Sequence, residues 1–361
     1  MLELREGDLD AFFRVPFDVY GPESLYVSPF RSDLARWLDA GANPLFRRFG
    51  ARRFFTAHRD GRPVGRIVAH IHRASNERHG TRRSCFGFFD CADDPEAAGL
   101  LLGQAEAFGR EEGADEIAGN FNLTAMQQMG VMTEGFENAP YTDQVYGPPH
   151  IPRLLAGHGY EPFFPMSTWE VDLTRLLLES READPGLRWE RLRRRTFAEQ
   201  TRGVRQVLNE AFDRNPFFVP LTEEEFLFQT REMMWIVDER IACLVRDGER
   251  TVGTVICIPD LNPFLRATGS RLGPLTPWHF LRARLRRKRA VIIFYAVSPS
   301  HQNRGLNGAM LHRVISSLQA AGYERLGITW IADVNLPSLR QVERLGARRL
   351  HRLHLFRKAL A

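Results

Sequence analysis

The stretch VIIFYAVSPSHQNRGLNGAML, residues 291–311, governs the reading of this chain. Residues 291–297 are apolar and rich in β-branched and aromatic side chains, as a buried strand requires. A short polar segment follows, and a helix is expected to open near Gly305. A helix N-terminus presents several unpaired N–H groups and the positive end of the helix dipole, which together attract anions. Glycine there lacks the Cβ that would hold a diphosphate away. Gln302, Asn303, Arg304, Gly305, Leu306, Asn307 and Gly308 are therefore the expected wall of a diphosphate cradle.

Around this segment the composition is that of a soluble globular protein, with 43% hydrophobic and 26% charged residues in 361. That length is comfortable for two domains. No apolar run approaches the roughly 18 residues that a membrane-spanning helix needs. The opening MLELREGDLDAFF is acidic and has no small-residue cleavage site, which argues for a cytoplasmic protein. Cys85, Cys91, Cys243 and Cys257 show no metal-type spacing and are expected to fill core as thiols. The net charge of +5 admits nucleic acid, anionic lipid or a phosphorylated cofactor as partner, without choosing among them.

One ground plan occurs twice. RRFFTAHRDGRPVGRIVAHIHR reads as a hairpin turning at Asp60-Gly61. A strand at 84–91 follows, then a helix from Pro95 to about Glu112, a strand at 116–120 and a helix at 151–156. RIACLVRDGERTVGTVICIPD is again a hairpin, turning at Asp247-Gly248. The strand at 291–297, a helix at 305–321, a strand at 326–331 and a helix at 336–345 complete the second copy. The repeat predicts an α/β (α+β) fold of two related domains, 1–175 and 176–361, each a mixed, mostly antiparallel sheet flanked by helices. The link is placed at 173–188, where strand alternation is lost and Pro185-Gly186 occurs. A single large domain is the alternative.

With these elements placed, the second half resembles the GCN5-related N-acyltransferase (GNAT) superfamily. The family's Gln/Arg-x-x-Gly-x-Gly/Ala loop lies between a strand and a helix; Gln302 and Gly305 match it, and Asn307 replaces the second small residue. Asparagine tolerates left-handed backbone, so the loop can survive that change. NLPSLRQVERLGA resembles a later family element, with Asn335, Ser338, Arg344 and Gly346 in register. Val342 stands where the family often has a tyrosine acting as acid to the leaving thiolate. A thiol of reference pKa about 8.5 leaves tolerably without one. The first half resembles the same fold without the loop: Asp93, Asp94 and Glu96 stand where glycine and basic residues are expected, and would repel a diphosphate. FGFFD, NFN at 120–122, EGF at 134–136, PDLN at 259–262 and TWIADVN at 329–335 extend the likeness to bacterial tandem acyltransferases, among them ceramide synthase-type enzymes.

The resemblance implies acyl-CoA (coenzyme A) as co-substrate and direct attack of an amine on the thioester. Tyr295, Ala296, Val297 and Ser298 would supply backbone contacts to pantetheine and the thioester, and Asn335 would join the cofactor site. A donor fixed where the oxyanion grows and an unprotonated amine held close are the physical requirements. Asp333 is the first candidate base, with a helix N-terminal carboxylate as its bland reading. His301 beside the loop and Tyr295 in the strand are the other catalytic candidates; their bland readings are a solvated loop histidine and a core phenol. His70 and His72 share a hairpin face but lack further ligands at metal spacing, so no metal is expected. No Gly-x-Ser-x-Gly elbow appears, which disfavours an acyl-enzyme.

A basic insertion, 260–289, contains WHFLRARLRRKR, with Trp278, Leu281 and Leu285 on one helical face among arginines. It suits an anionic bilayer surface, a helix packed on the domain, or contact with cofactor phosphates. Twenty-six phenylalanines and the Met126–Met129–Met132 segment suit a large apolar pocket or simply core. The leading expectation is an N-acyltransferase acting on a small-molecule or lipid-like amine, peripheral to the inner membrane face. A non-catalytic CoA-binding scaffold is the alternative. Nucleic acid is disfavoured, because the arginine stretch lacks interleaved stacking aromatics.

Overall fold

The computed structural model describes residues 1–124, 127–177 and 186–360. The first half runs β1 (Leu2–Glu6), α1 (Leu9–Tyr20), α2 (Arg31–Leu38), β2 (Gly50–Arg59), β3 (Arg62–His72) and α3 (Arg73–His79). It continues through β4 (Arg83–Cys91), α4 (Pro95–Glu111), β5 (Glu116–Gly119), β6 (Val131–Glu134), α5 (His150–Gly157) and β7 (Glu161–Asp172). The second half opens with β8 (Arg188–Arg191), α6 (Phe197–Ala211), α7 (Glu223–Thr230), α8 (Met233–Ile236), β9 (Ala242–Asp247) and β10 (Arg250–Pro259). The insertion forms α9 (Asn262–Thr268) and α10 (Thr276–Leu285). Then come β11 (Arg289–Val297), α11 (Leu306–Ala320), β12 (Arg325–Ala332), α12 (Leu336–Arg344) and β13 (Arg348–Ala359).

Local chemistry explains most of these elements. Asp60 and Gly61 both take positive φ, the backbone of a tight hairpin turn between β2 and β3. Pro95 opens α4 and the Asp94 side chain caps it, accepting from the Glu96 and Ala97 N–H groups. Its apolar side chains Leu101, Leu102, Ala105 and Phe108 pack on Phe55, Ile67 and Ala69 of the β2–β3 hairpin. Each leucine so buried contributes on the order of 2 kcal/mol. The same arrangement recurs where Met310, Leu311, Val314 and Ile315 of α11 cover Val245, Val252 and Val255.

Thirteen strands form one mixed sheet in the order β1-β2-β3-β4-β5-β13-β7-β12-β11-β10-β9-β8, with β6 on β13. All neighbours are antiparallel except β4–β5 and β11–β12, which are parallel. The two halves exchange strands at the centre. β13, the last strand of the chain, pairs with β5, and β7 of the first half pairs with β12. The sheet is therefore continuous across position 175, while much of the expected link, 178–185, lies outside the described residues. Met126 also lies outside them. Met129 and Met132 are fully buried in the central core with Met166 and Leu353, so they pack strand against strand.

The four cysteines are free thiols, three of them fully buried. Among the described residues no group of three or more His, Cys, Asp or Glu is placed to hold a metal ion, and no helix is long and apolar enough to cross a membrane.

Candidate functional site: an open fork and a filled one

Each parallel strand pair parts partway along its length. β11 and β12 are paired from Arg289↔Arg325 to Ile292↔Ile328, and there the ladder ends. Beyond that point β11 stays with β10 as far as Val297, and β12 stays with β7 as far as Ala332. A fork opens between residues 293–297 and 329–332. The β10–β11 register slips at this place: Cys257 faces Ile292, Ile256 faces Phe294, and Ile293 is the extra residue of a bulge. A bulge tilts the local peptide groups out of the ladder, which frees an N–H to point elsewhere.

At the head of the fork, Gly305 begins α11 with φ 77°, and no side chain caps the first turn. A Cβ at Gly305 would meet nothing within 4 Å, so the space beside this residue is open. Asn303, at φ 62°, also takes left-handed backbone, as its residue type allows. Arg304 is exposed and has no ion-pair partner among the described residues. Gln302 turns back and donates to the Val297 carbonyl at 3.1 Å. Leu306 is buried under the loop, with Asn307 and Gly308 half-buried behind it. Ala296 and Val297 are buried, and Ser298 donates to Glu210 at 2.6 Å.

The first half carries the same fork, filled by its own chain. β4 and β5 part after Phe86↔Gly119. There the Asn122 side chain accepts from the Phe88 N–H at 2.7 Å, and Asn120 accepts from Phe89 N–H at 3.3 Å. Asn120 also donates to Asn122 at 3.0 Å, so the NFN segment closes the gap. The helix head is closed as well: Asp94 caps α4 and is held by Arg59 through two bonds of 2.8 and 3.0 Å. Among the described residues no side chain makes the equivalent bonds to the N–H groups of 293–297.

The remaining sequence candidates are engaged locally. Both Asp333 oxygens are bound by Arg352, at 2.7 and 2.6 Å, so the carboxylate is held as one half of an ion pair rather than as a free base. It is not the cap of α12 either; Asn335 is, its side chain accepting from the Ser338 N–H at 3.3 Å. His301 is fixed between the Ser300 hydroxyl at 2.9 Å and Asp247 on the neighbouring hairpin at 3.2 Å. Tyr295 is half-buried, and its hydroxyl donates to the Asn307 carbonyl at 2.7 Å, tying β11 to the first turn of α11. Burial raises its pKa. Val342 is packed in the core below α11, where it offers no polar atom to the fork.

Sequence reasoning missed a large cavity. A cavity of about 1030 Å³ meets the fork at Ile293 and Phe294. Its wall comes from both halves: Trp37 of α2, the segment 140–146, Trp235 and Ile236 of α8, and Phe264 and Phe280 of the insertion. The 140–146 segment is pinned over the base of the fork. Gln144 donates to the Ile328 carbonyl at 3.0 Å, and Thr142 donates to Asp260 through its N–H and hydroxyl at 3.0 and 2.9 Å. The Tyr141 ring lies on Gly327, where a Cβ would come within 2.5 Å of it, so only glycine admits the loop. The one sequence signal was the period-free run PYTDQVYG, dense in aromatic and hydrogen-bonding side chains between prolines.

Residues 203–347 match the family model described as the acetyltransferase (GNAT) family. The open fork thus lies within a stretch similar to that family, and the fold of the whole chain is similar to that of tandem GNAT proteins. The chain is 26% identical to protein YghO of Escherichia coli K12, over 99% of this chain and 94% of that protein. It is 24% identical to bacterial ceramide synthase of Caulobacter vibrioides, over 98% and 95% respectively. Among solved structures it is similar in fold to a tandem GNAT protein from the clavulanic acid biosynthesis pathway, with TM-score 0.60, 12% identity and coverage of 100% and 99%. A GCN5-related N-acetyltransferase from Sphaerobacter thermophilus gives TM-score 0.56 at 16% identity, over 99% of this chain and 96% of that one.

Proposed function

We propose that this protein is an acyl-CoA-dependent N-acyltransferase whose second half binds the donor and whose first half walls the acceptor site. The carrying observation is the contrast between the forks: one is closed by asparagine side chains and a carboxylate cap, the other is open along its strand and at its helix head. Unpaired N–H groups at α11 would hold the diphosphate, with Arg304 adding charge. Pantetheine would lie along 293–297, and a peptide N–H of the Ile293 bulge would polarise the thioester carbonyl. This reading assigns the oxyanion donor to 293–294, two residues before the 295–298 expectation, and the bulge and cavity wall at those residues support it. Asn335, whose side chain caps α12, would join the same site.

The size and apolar wall of the cavity suit a long alkyl chain, each buried methylene of which contributes about 0.8 kcal/mol. The likeness to a protein named ceramide synthase supports the same reading. So does α10: it buries none of its residues, and Trp278 and Leu285 are 59% and 77% exposed beside Arg282, Arg284 and Arg286. Arg287, Lys288 and Arg289, by contrast, are paired with Asp238, Glu324 and Asp260. The exposed helix would rest on an anionic bilayer, from which a lipid-like amine could enter past Phe280. Mixing the protein with palmitoyl-CoA and a panel of amines, and following free thiol, tests the activity; CoA release dependent on an amine is the expected result.

A second reading, a CoA-binding scaffold without turnover, is favoured by Val342 and by the pairing of Asp333 with Arg352. Tight CoA binding with no thiol release from any amine would establish it.

A further inference from the structure

We propose that Asp143 receives the amino group of the acceptor, pairing with its ammonium form in the cavity and taking the proton that frees its lone pair. The proposal deepens the acyltransferase reading and rests on it. Asp143 is the third residue of a turn closed by Gln144 N–H donating to the Tyr141 carbonyl at 3.0 Å. Every neighbour in this turn is anchored. The Tyr141 N–H donates to the Gln144 side chain at 2.9 Å, and its hydroxyl donates to Glu170 at 2.6 Å. Asn262 holds the preceding Pro140 carbonyl at 2.9 Å. Asp143 alone has no hydrogen bond or ion pair among the described residues.

Its backbone adds a second observation. φ is 68°, in a turn position that glycine or asparagine usually takes. An aspartate held there is strained, and such positions concentrate where a side chain has to be aimed. The residue is exposed on the cavity wall, and the protein packed around the cavity raises the carboxyl pKa to about 7. The cavity's other charges lie on other elements: Asp33 and Arg36 on α2, Arg231 and Glu232 after α7. Arg36 binds Glu232 at 2.8 Å and lies 3.9 Å from Asp33, so that group balances itself. An apolar cavity that carries an unpaired acid on its wall, with Ile293 and Phe294 of the fork on the same wall, suits a cation that ends in an alkyl chain.

The step balances as follows. The ammonium gives one proton to Asp143, and the freed lone pair forms the C–N bond at the thioester carbonyl. The C–S bond breaks with its electron pair on sulfur, and the thiolate takes the second proton from nitrogen. Asp143 then returns its proton to water, leaving amide and free thiol.

Trp37 and Trp235 in the cavity wall report binding by fluorescence. Titration with dodecylamine and with dodecanol should show the amine binding at least about tenfold more tightly than the alcohol. Asp143→Asn should remove that preference and leave dodecanol affinity within about twofold. Asp143→Gly, whose backbone fits the turn, should behave alike, and thermal melting of both variants checks that they fold. Equal amine affinity in the variants, or no amine preference in the wild type, overturns the proposal. CoA affinity measured on the same samples separates the readings: CoA binding without amine preference removes only this inference, and amine preference without CoA binding removes only the donor assignment.

Discussion

The Gln144 side chain donates to the Ile328 carbonyl at 3.0 Å, at the last paired residue of β12 before the fork opens. A loop of the first half is thereby fastened to the base of the second half's fork, and the wall of the cavity depends on that bond. Gln144→Leu would leave the Ile328 carbonyl and the Tyr141 N–H without their partners. Each orphaned buried group costs about 1–3 kcal/mol. Urea unfolding should show a lower midpoint, and binding of alkyl ligands to the cavity should weaken in parallel.

Gly305 separates charge from bulk at the helix head. Gly305→Asp puts a carboxylate where a diphosphate would sit, in open space but at a left-handed backbone position, φ 77°, that strains a side chain. CoA affinity by calorimetry should fall at least about tenfold, with the loss of φ freedom costing only about 1 kcal/mol of stability. Gly305→Asn, neutral and tolerant of left-handed backbone, should retain most of the affinity.

Arg66 and Asp90 form a fully buried ion pair in the first half, at 2.6 Å, with Tyr20 donating to Asp90 and Arg66 donating to the Phe12 carbonyl. Asp90→Leu leaves the guanidinium uncompensated and should destabilise the fold by about 3–5 kcal/mol. The double variant Arg66→Met/Asp90→Leu should recover most of this loss, read from chemical denaturation.

His70 is buried against the Phe121 carbonyl at 3.2 Å, and desolvation lowers its pKa from 6.5 to about 4. Between these values the unfolded chain binds more protons than the folded one. The stabilisation is therefore complete above pH 6.5 and is lost as pH falls through 4. Its full size is about 3 kcal/mol. His70→Gln should flatten unfolding free energy between pH 7 and pH 4 relative to the wild type.

The repeated plan of hairpin, strand and helix was legible because turns and caps are local. Asp60-Gly61, Pro95 and Gly305 act through their own backbone, and 3.6-residue periodicity placed α4, α11 and α12 within a residue or two. The candidate site was half legible. The loop 302–308 lies at the helix head as expected, but Asp333, His301 and Tyr295 each meet a partner that spacing does not reveal. Arg352 reaches Asp333 from a strand that follows the last recognised helix. Asp143 sits in a loop with no period at all.

Sequence by itself determined which segments become strands and helices and where an anion could meet α11, since backbone propensity and helix-end electrostatics depend on near neighbours. Tertiary structure alone decided that β13 and β7 trade places at the centre, that asparagines close one fork, and that the 140–146 loop roofs the other. A strand's alternation says which face is buried but not which strand lies beside it; that choice belongs to the packing of the whole sheet.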